Sequence, residues 1–222
     1  MKLSEIAGAT DGLGWRLVVG ELRTQVVTGS LARAAEVAAR VADAAGQDAD
    51  GHLRLDVRKD RLHLALYTLE LGDVTVRDVE LARAISAVVS DLGLVTDPGR
   101  DRTVQLMEIG IDTMDIPAIR PFWKAVLGYA DEPGHDGPQN AIVDPDWQGP
   151  AIWFQQMDAP RPQRNRIHFD IRVPRDEAEH RIGAAIAAGG HMAYDGEAPA
   201  FWVLADPEGN EICICTWEGR GR

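Results

Sequence analysis

The spacing of apolar residues divides the chain into two runs of elements with a break near residue 100. In SLARAAEVAARVADAAG (30–46) apolar residues recur at helical spacing, with Ser30 placed to cap the start and Gly46 to stop the helix. The preceding WRLVVGELRTQVVTG (15–29) reads as two short strands around Gly20. HLRLDV and RLHLALYTL then alternate apolar with polar, the period of half-buried strands, and RKD (58–60) is the turn between them. VTVRDVELARAISAVVSDLG (74–93) is a second amphipathic helix, with Thr75 as N-cap and Asp78 three residues on in the capping-box position. Residues 1–95 therefore read as strands, helix, hairpin, helix, an α+β unit.

VTDPGRDRT (95–103) puts Pro, Gly and a cluster of charges between two periodic regions, which predicts a linker over 96–103. Beyond it the pattern repeats. VQLMEIGID (104–112) is a strand and IPAIRPFWKAVLGY (116–129) a helix ending at Gly128; a turn-rich stretch leads to the strand AIWFQQM (151–157). RIHFDIRV (166–173) is again a strand and RDEAEHRIGAAIAAGG (175–190) a helix, followed by the strands AFWVLAD (200–206) and NEICICTW (210–217). The second domain is thus expected at 104–217. One face of its strands is apolar (Ile109/Ile111, Ile152/Phe154, Phe169/Ile171, Ile212/Ile214). The other carries Glu108, Trp153/Gln155, His168/Asp170/Arg172 and Cys213/Cys215. A ligand-binding lining has that look, and so does a solvent-facing surface.

Composition narrows the partners. At 45% hydrophobic and 26% charged, with net charge −12, the chain suits a globular protein and disfavours nucleic acid or an anionic membrane. The basic stretch RPQRNR (161–166) is short, the N-terminus has no apolar signal-peptide core, and no apolar run is long enough to span a bilayer. Cys213 and Cys215 are too close on one strand to pair readily, which fits a reducing cytoplasm. His135 lies in the loop EPGHDGPQN, His180 on the polar side of a helix, and His191 in a turn after Gly-Gly; Trp147 and Trp217 are candidates to cover a binding surface or the interface between the two domains.

The second half resembles the glyoxalase/bleomycin-resistance, or vicinal-oxygen-chelate, superfamily. The residues that carry the resemblance are Asp115, Phe122-Trp123, Leu127-Gly128, Asn165 to Asp170 (NRIHFD) and Asp206 to Asn210 (DPEGN). It implies paired βαβββ modules whose sheets form a cup for a small molecule, often with a divalent metal. Carried over by position, the metal ligands would be Glu108, Gln155, His168 and Cys213. Family sites use mainly His and Glu, so Gln155 and Cys213 depart from the pattern. Trp153, Asp170, Arg172 and Trp202 would then contact an aromatic or heterocyclic ligand.

The first half resembles the pterin-4a-carbinolamine dehydratases. The resemblance rests on Trp15, the helix with Ala34-Ala35 and Val41-Ala42, His52, the strand Leu62 to Thr68, and VTVRDVELA (74–82), close to the family's LTxxDxxLA. It implies an antiparallel sheet with helices on one face, homo-oligomers assembled through helices such as 78–92, and acid–base dehydration of 4a-hydroxytetrahydropterin. The family uses His-His-Pro after its first helix and a third His after the hairpin. Here those places hold Gly51-His52-Leu53 and Leu69, so His52 is the one retained, and His63 reads as structural. Histidine titrates near neutrality and suits the proton transfers of dehydration. Asp48, Asp50 and Asp56 are nearby carboxylates that could stand in for a missing histidine.

Three readings follow from the sequence. The chain is a dehydratase of reduced site with a fused cup. Alternatively, it is a non-catalytic binding protein whose front half is an assembly scaffold. The third reading is a metal-dependent lyase, isomerase or dioxygenase of the second half.

Overall fold

A computed structural model describes residues 2–18, 20–99, 107–160, 168–216 and 218. It divides into two compact units, Met1–Leu106 and Met107–Arg222.

The first unit runs α1 (Leu3–Asp11), β1 (Arg16–Val18), β2 (Glu21–Val27), α2 (Leu31–Ala45), the single-turn α3 (Ala49–His52), β3 (Leu53–Val57), β4 (Arg61–Leu66) and α4 (Val76–Asp91). The strands form one antiparallel sheet in the order β1-β2-β4-β3. Its register sets Leu22 opposite Leu66 and Val26 opposite Leu62, so the apolar positions share one face. That face buries Val37 and Val41 of α2 and Val79, Ile85 and Val89 of α4, with Ile6 and Trp15 in the same cluster. α2 begins where Ser30 Oγ accepts from Arg33 N and stops at Gly46, whose φ of 61° suits a residue without Cβ. α4 carries the expected capping box, with Thr75 and Asp78 satisfying each other's backbone donors. Val79, Leu81, Ala82, Ile85 and Val89 of α4 are spent on the unit's own core, and its exposed side presents Val76, Arg83, Ala84 and Ala87. The apolar spacing does not indicate α1, in which Ile6 and Thr10 are the residues turned fully inward.

The predicted linker starts inside this unit. Thr96 bridges to Val26, its hydroxyl donates to Leu13 O at 2.7 Å, and its carbonyl sits where a Cβ on Gly14 would fall. Residues 100–103 lie outside the described residues.

The second unit runs β5 (Glu108–Thr113), α5 (Ile116–Leu127), β6 (Ala130–Asp131), β7 (Ile142–Val143) and β8 (Ala151–Gln156), then β9 (Phe169–Arg172), α6 (Arg175–Ala187), β10 (His191–Tyr194), β11 (Phe201–Ala205) and β12 (Glu211–Cys215). The sheets are ordered β5-β8-β7-β6 and β9-β12-β11-β10, each with its first strand parallel to its last. This is the βαβββ module twice over. Both sheets and both helices contribute to one core, including Ile119, Phe122, Val126, Ile142, Ile152, Leu204 and Ile214. His191 opens strand β10 opposite Ala205, where the sequence suggested a turn. Asn165, Arg166, Ile167 and Trp217, with the 161–166 stretch, lie outside the described residues.

The DPEGN motif has a structural explanation. Asp206 is fully buried; its Oδ1 accepts from Glu208 N and Asn210 N, both at 2.9 Å, and its Oδ2 accepts from Asn210 Nδ2 at 2.8 Å and the Trp123 indole Nε1 at 2.9 Å. Glu208 then reaches the start of α5, accepting from Thr113 Oγ1 at 2.6 Å and from the Met114 and Asp115 amides. One loop of the second module thereby closes on itself and clamps the helix of the first.

Candidate functional site

His52 ends α3, and the backbone pins it from both sides: Tyr67 N donates to His52 O and Leu69 N to Gly51 O, both at 2.9 Å. The side chain is 15% exposed and its Nδ1 lies 2.8 Å from Oδ1 of Asp78, which is wholly buried. The other carboxylate oxygen, Oδ2, accepts from Thr68 Oγ1 at 2.7 Å, Thr75 N at 2.7 Å and Thr75 Oγ1 at 2.9 Å. Every neighbour of Asp78 is a donor, so an Nδ1–H on His52 completes its set. The ring then presents Nε2 away from the carboxylate. An imidazole oriented by a buried carboxylate can take a proton at Nε2 and return it there.

The carboxylate that meets His52 is thus Asp78, and none of the three nominated stand-ins. Asp48 is held by Arg77 (Nε to Oδ2, 2.7 Å) and Asp56 by Arg58 (2.7 Å). The sequence placed Asp78 only as a helix cap. Its capping duty uses one oxygen, and nothing in a linear pattern shows that the other meets a ring 26 residues away. His63 stands on the opposite face of β4 from Leu62 and Leu64, between Gln25 and Asp56. Burial pushes its imidazolium pKa down, and it makes no part of the His52 cluster.

In the second unit the parallel register of β9 and β12 sets Asp170 beside Cys213, and His168 precedes Asp170 by two residues on the same face. The ligating atoms of His168, Asp170 and Cys213 all lie within 4.8 Å of one another, with His168 Nε2 3.6 Å from Asp170 Oδ1. Burial, with the hydrogen bond and charge of Asp170, pushes the Cys213 thiol up to about 12. Arg172 shares this face, opposite Cys215.

The other nominated residues are not brought together. Gln155 pairs with Asp112, whereas Glu108 pairs with Ala151. Four residues of parallel strand separate the two, roughly 13 Å, too far for one ion. Trp202 is opposite Ile214 and packs on the core, on the other face from Cys213. Its parity along β11 decides this, because Val203 is the residue beside Cys213. Trp153 lies over Gly110, where a Cβ would fall 2.9 Å from the indole, and is 41% exposed. Among the described residues no helix is long and apolar enough to cross a membrane.

Residues 1–88 match the family described as pterin 4 alpha carbinolamine dehydratase, and 108–215 match the glyoxalase-like domain. A curated protein of Mycolicibacterium smegmatis, described as "Putative pterin-4-alpha-carbinolamine dehydratase", is 32% identical over 78 residues, 35% of this chain and 82% of that protein. Among solved structures, a transcriptional coactivator/pterin dehydratase from Brucella melitensis is 24% identical, covering 40% of this chain and 96% of its own, with a TM-score of 0.36. A glyoxalase/bleomycin resistance protein/dioxygenase family enzyme from Burkholderia phytofirmans is 21% identical, covering 51% and 98%, with a TM-score of 0.42. Through its N-terminal unit the chain belongs to the pterin-4a-carbinolamine dehydratase family, and it continues into a glyoxalase-like domain.

Proposed function

We propose that the N-terminal unit binds a 4a-hydroxytetrahydropterin and dehydrates it with His52 as its single acid–base group. The observation that supports this most is the 2.8 Å contact between His52 Nδ1 and the buried Asp78. In the neutral ring Nδ1–H faces Asp78 and Nε2 takes the proton from the pterin ring nitrogen. In the protonated ring Nε2–H is given to the departing 4a-hydroxyl, which leaves as water as the C4a–N5 double bond forms. The carboxylate stabilises the imidazolium between these steps. The family divides this work among three histidines, each such group being worth roughly 10²–10⁴ in rate, so a site with one is slow. The test is dehydration of pterin supplied by a coupled hydroxylase, with the spontaneous rate subtracted. The expected result is a rate above background that His52→Ala abolishes. A rate equal in wild type and variant withdraws the dehydratase reading and leaves a binding or scaffold role, with self-association measurable by sedimentation.

A second reading belongs to the C-terminal unit and rests on the His168–Asp170–Cys213 cluster. The four-residue set drawn from both modules does not fit an ion, because Glu108 and Gln155 are separated along their strands. The three clustered residues do fit one: imidazole, carboxylate and thiolate suit zinc, with room for a further ligand. Bound there, a metal would supply Lewis acidity to a small oxygen-bearing ligand, while Arg172 on the same face would hold negative charge on it. Stoichiometric zinc on titration, lost in His168→Ala, supports this reading. Absence of uptake by wild type makes the face a metal-free ligand surface.

A further inference from the structure

We propose that Thr68 is a positioning residue that acts with Asp78 to fix which nitrogen of His52 carries the proton. Thr68 leaves β4 just where the two backbone hydrogen bonds, Tyr67 to His52 and Leu69 to Gly51, hold the segments together. Its own amide donates to Asp73 O at 3.0 Å, and its carbonyl accepts from Leu71 N and Gly72 N. The residue is thus held by its backbone in a tight turn, and its side chain is buried between the ring and the carboxylate.

Its hydroxyl touches three groups: Asp78 Oδ2 at 2.7 Å, Thr75 Oγ1 at 2.9 Å and His52 Nδ1 at 3.2 Å. A hydroxyl has one proton to give. The carboxylate takes it at the shortest of the three contacts, which leaves the Thr68 oxygen an acceptor toward His52. Nδ1 then faces two acceptors, Asp78 Oδ1 and Thr68 Oγ1, and no donor. A bare Nδ1 would set lone pair against lone pair in a dry site, so the proton resides on Nδ1 and Nε2 stays open to a ligand. Thr75 also donates to Asp78, but it has no contact with the ring. The two threonines therefore divide the work: Thr75 satisfies the carboxylate and caps α4, while Thr68 also orients the imidazole. In the family's signature neither part was visible, since Thr68 reads there as one more residue of the LHLALYT strand.

This inference rests on His52 being the working acid–base group, but its test does not need turnover. The measurement is the tautomer of the neutral His52 ring from nitrogen-15 NMR, assigned among the six histidines by loss of its signals in His52→Ala. Wild type is expected to show a protonated Nδ1 and a bare Nε2. Thr68→Val, which leaves Asp78 as the one acceptor at Nδ1, is expected to give a measurable population of the Nε2–H form, with Thr68→Ser restoring the wild-type pattern and Thr75→Val leaving it in place. An unchanged tautomer in Thr68→Val overturns the proposal. So does a Thr68→Ser protein that loses the single tautomer, which keeps the test decisive should the valine variant fail to fold. A protein with the tautomer held and no dehydration rate would remove the dehydratase reading and leave the role of Thr68 standing.

Discussion

The amide of Leu69 donates to the carbonyl of Gly51 at 2.9 Å, so the two positions where the family carries its missing histidines are hydrogen-bonded neighbours. They flank His52 as a pair. Gly51 has ordinary helical backbone, and a Cβ built on it meets nothing within 4 Å. Leu69 is 44% exposed. Neither site is closed to a larger polar side chain.

Gly51→His with Leu69→His should therefore fold and gain dehydration rate. Each added acid–base group is worth roughly 10²–10⁴ where its geometry is productive, so a gain of at least about 10² over wild type is expected. The coupled assay reads it directly. A double variant that folds and shows no gain would mean that the pterin does not reach this face of the unit.

His52 and Asp78 should differ in how far activity and stability fall together. His52 is 15% exposed at the end of a single-turn helix, and His52→Ala should abolish turnover at a cost of about 1–2 kcal/mol, the penalty of leaving Asp78 Oδ1 without its donor. Asp78 is fully buried and collects four donors, from His52, Thr68 and Thr75. Asp78→Asn turns one acceptor atom into a donor among donors, and about 2–4 kcal/mol of stability should be lost with the activity. Urea unfolding of the two variants side by side checks this. Stability equal to wild type in both variants would show that the Asp78 network contributes little to the fold.

Strong periodicity and complete caps made α2, α4 and the β3–β4 hairpin legible in the sequence. α1 was not, because Ile6 and Thr10 are too few to make a period, and β6 and β7 have two residues each. The site divides in the same way. His52 could be found by its place beside LHLALYT, but Asp78 looked fully explained as a cap. Asp170 enters the second cluster through the β9–β12 register, which no spacing along the chain encodes. That same dependence on register separated Glu108 from Gln155, and strand parity turned Trp202 into the core.

Cys213 should be inert toward thiol reagents in the folded protein. With its pKa near 12 against an ordinary 9.0, the thiolate fraction at pH 8 falls about a thousandfold. Modification with a disulfide reagent should wait for unfolding, and Asp170→Asn, which removes the anionic hydrogen-bond partner, should speed the native reaction. A raised folded-state pKa adds stability that is complete below the unfolded value and is lost as pH climbs from 9.0 toward 12. Cys213→Ser should remove that alkaline loss. Fast labelling of native wild type at pH 8 would contradict the buried, proton-retaining thiol.

Glu208 gives the second unit the opposite pH dependence. Burial alone would raise its carboxyl, but hydrogen bonds from Thr113 and from the Met114 and Asp115 amides outweigh it together and hold the group below its usual range. A depressed folded-state pKa contributes stability that is present above the unfolded value, 4.5, and disappears as pH falls through the folded value. The Met114 and Asp115 amides are the donors themselves, so their hydrogen exchange reports the clamp locally. Their protection should be high at pH 6, after allowance for the intrinsic exchange rate, and should fall on acidification below the ordinary glutamate range. In Glu208→Gln it should already be low at pH 6 and change little with pH, while the Trp123 indole proton keeps its protection from Asp206. Loss of both signals together in the variant would mean that the loop is one cooperative piece, with Glu208 and Asp206 no longer separable as clamp and hub.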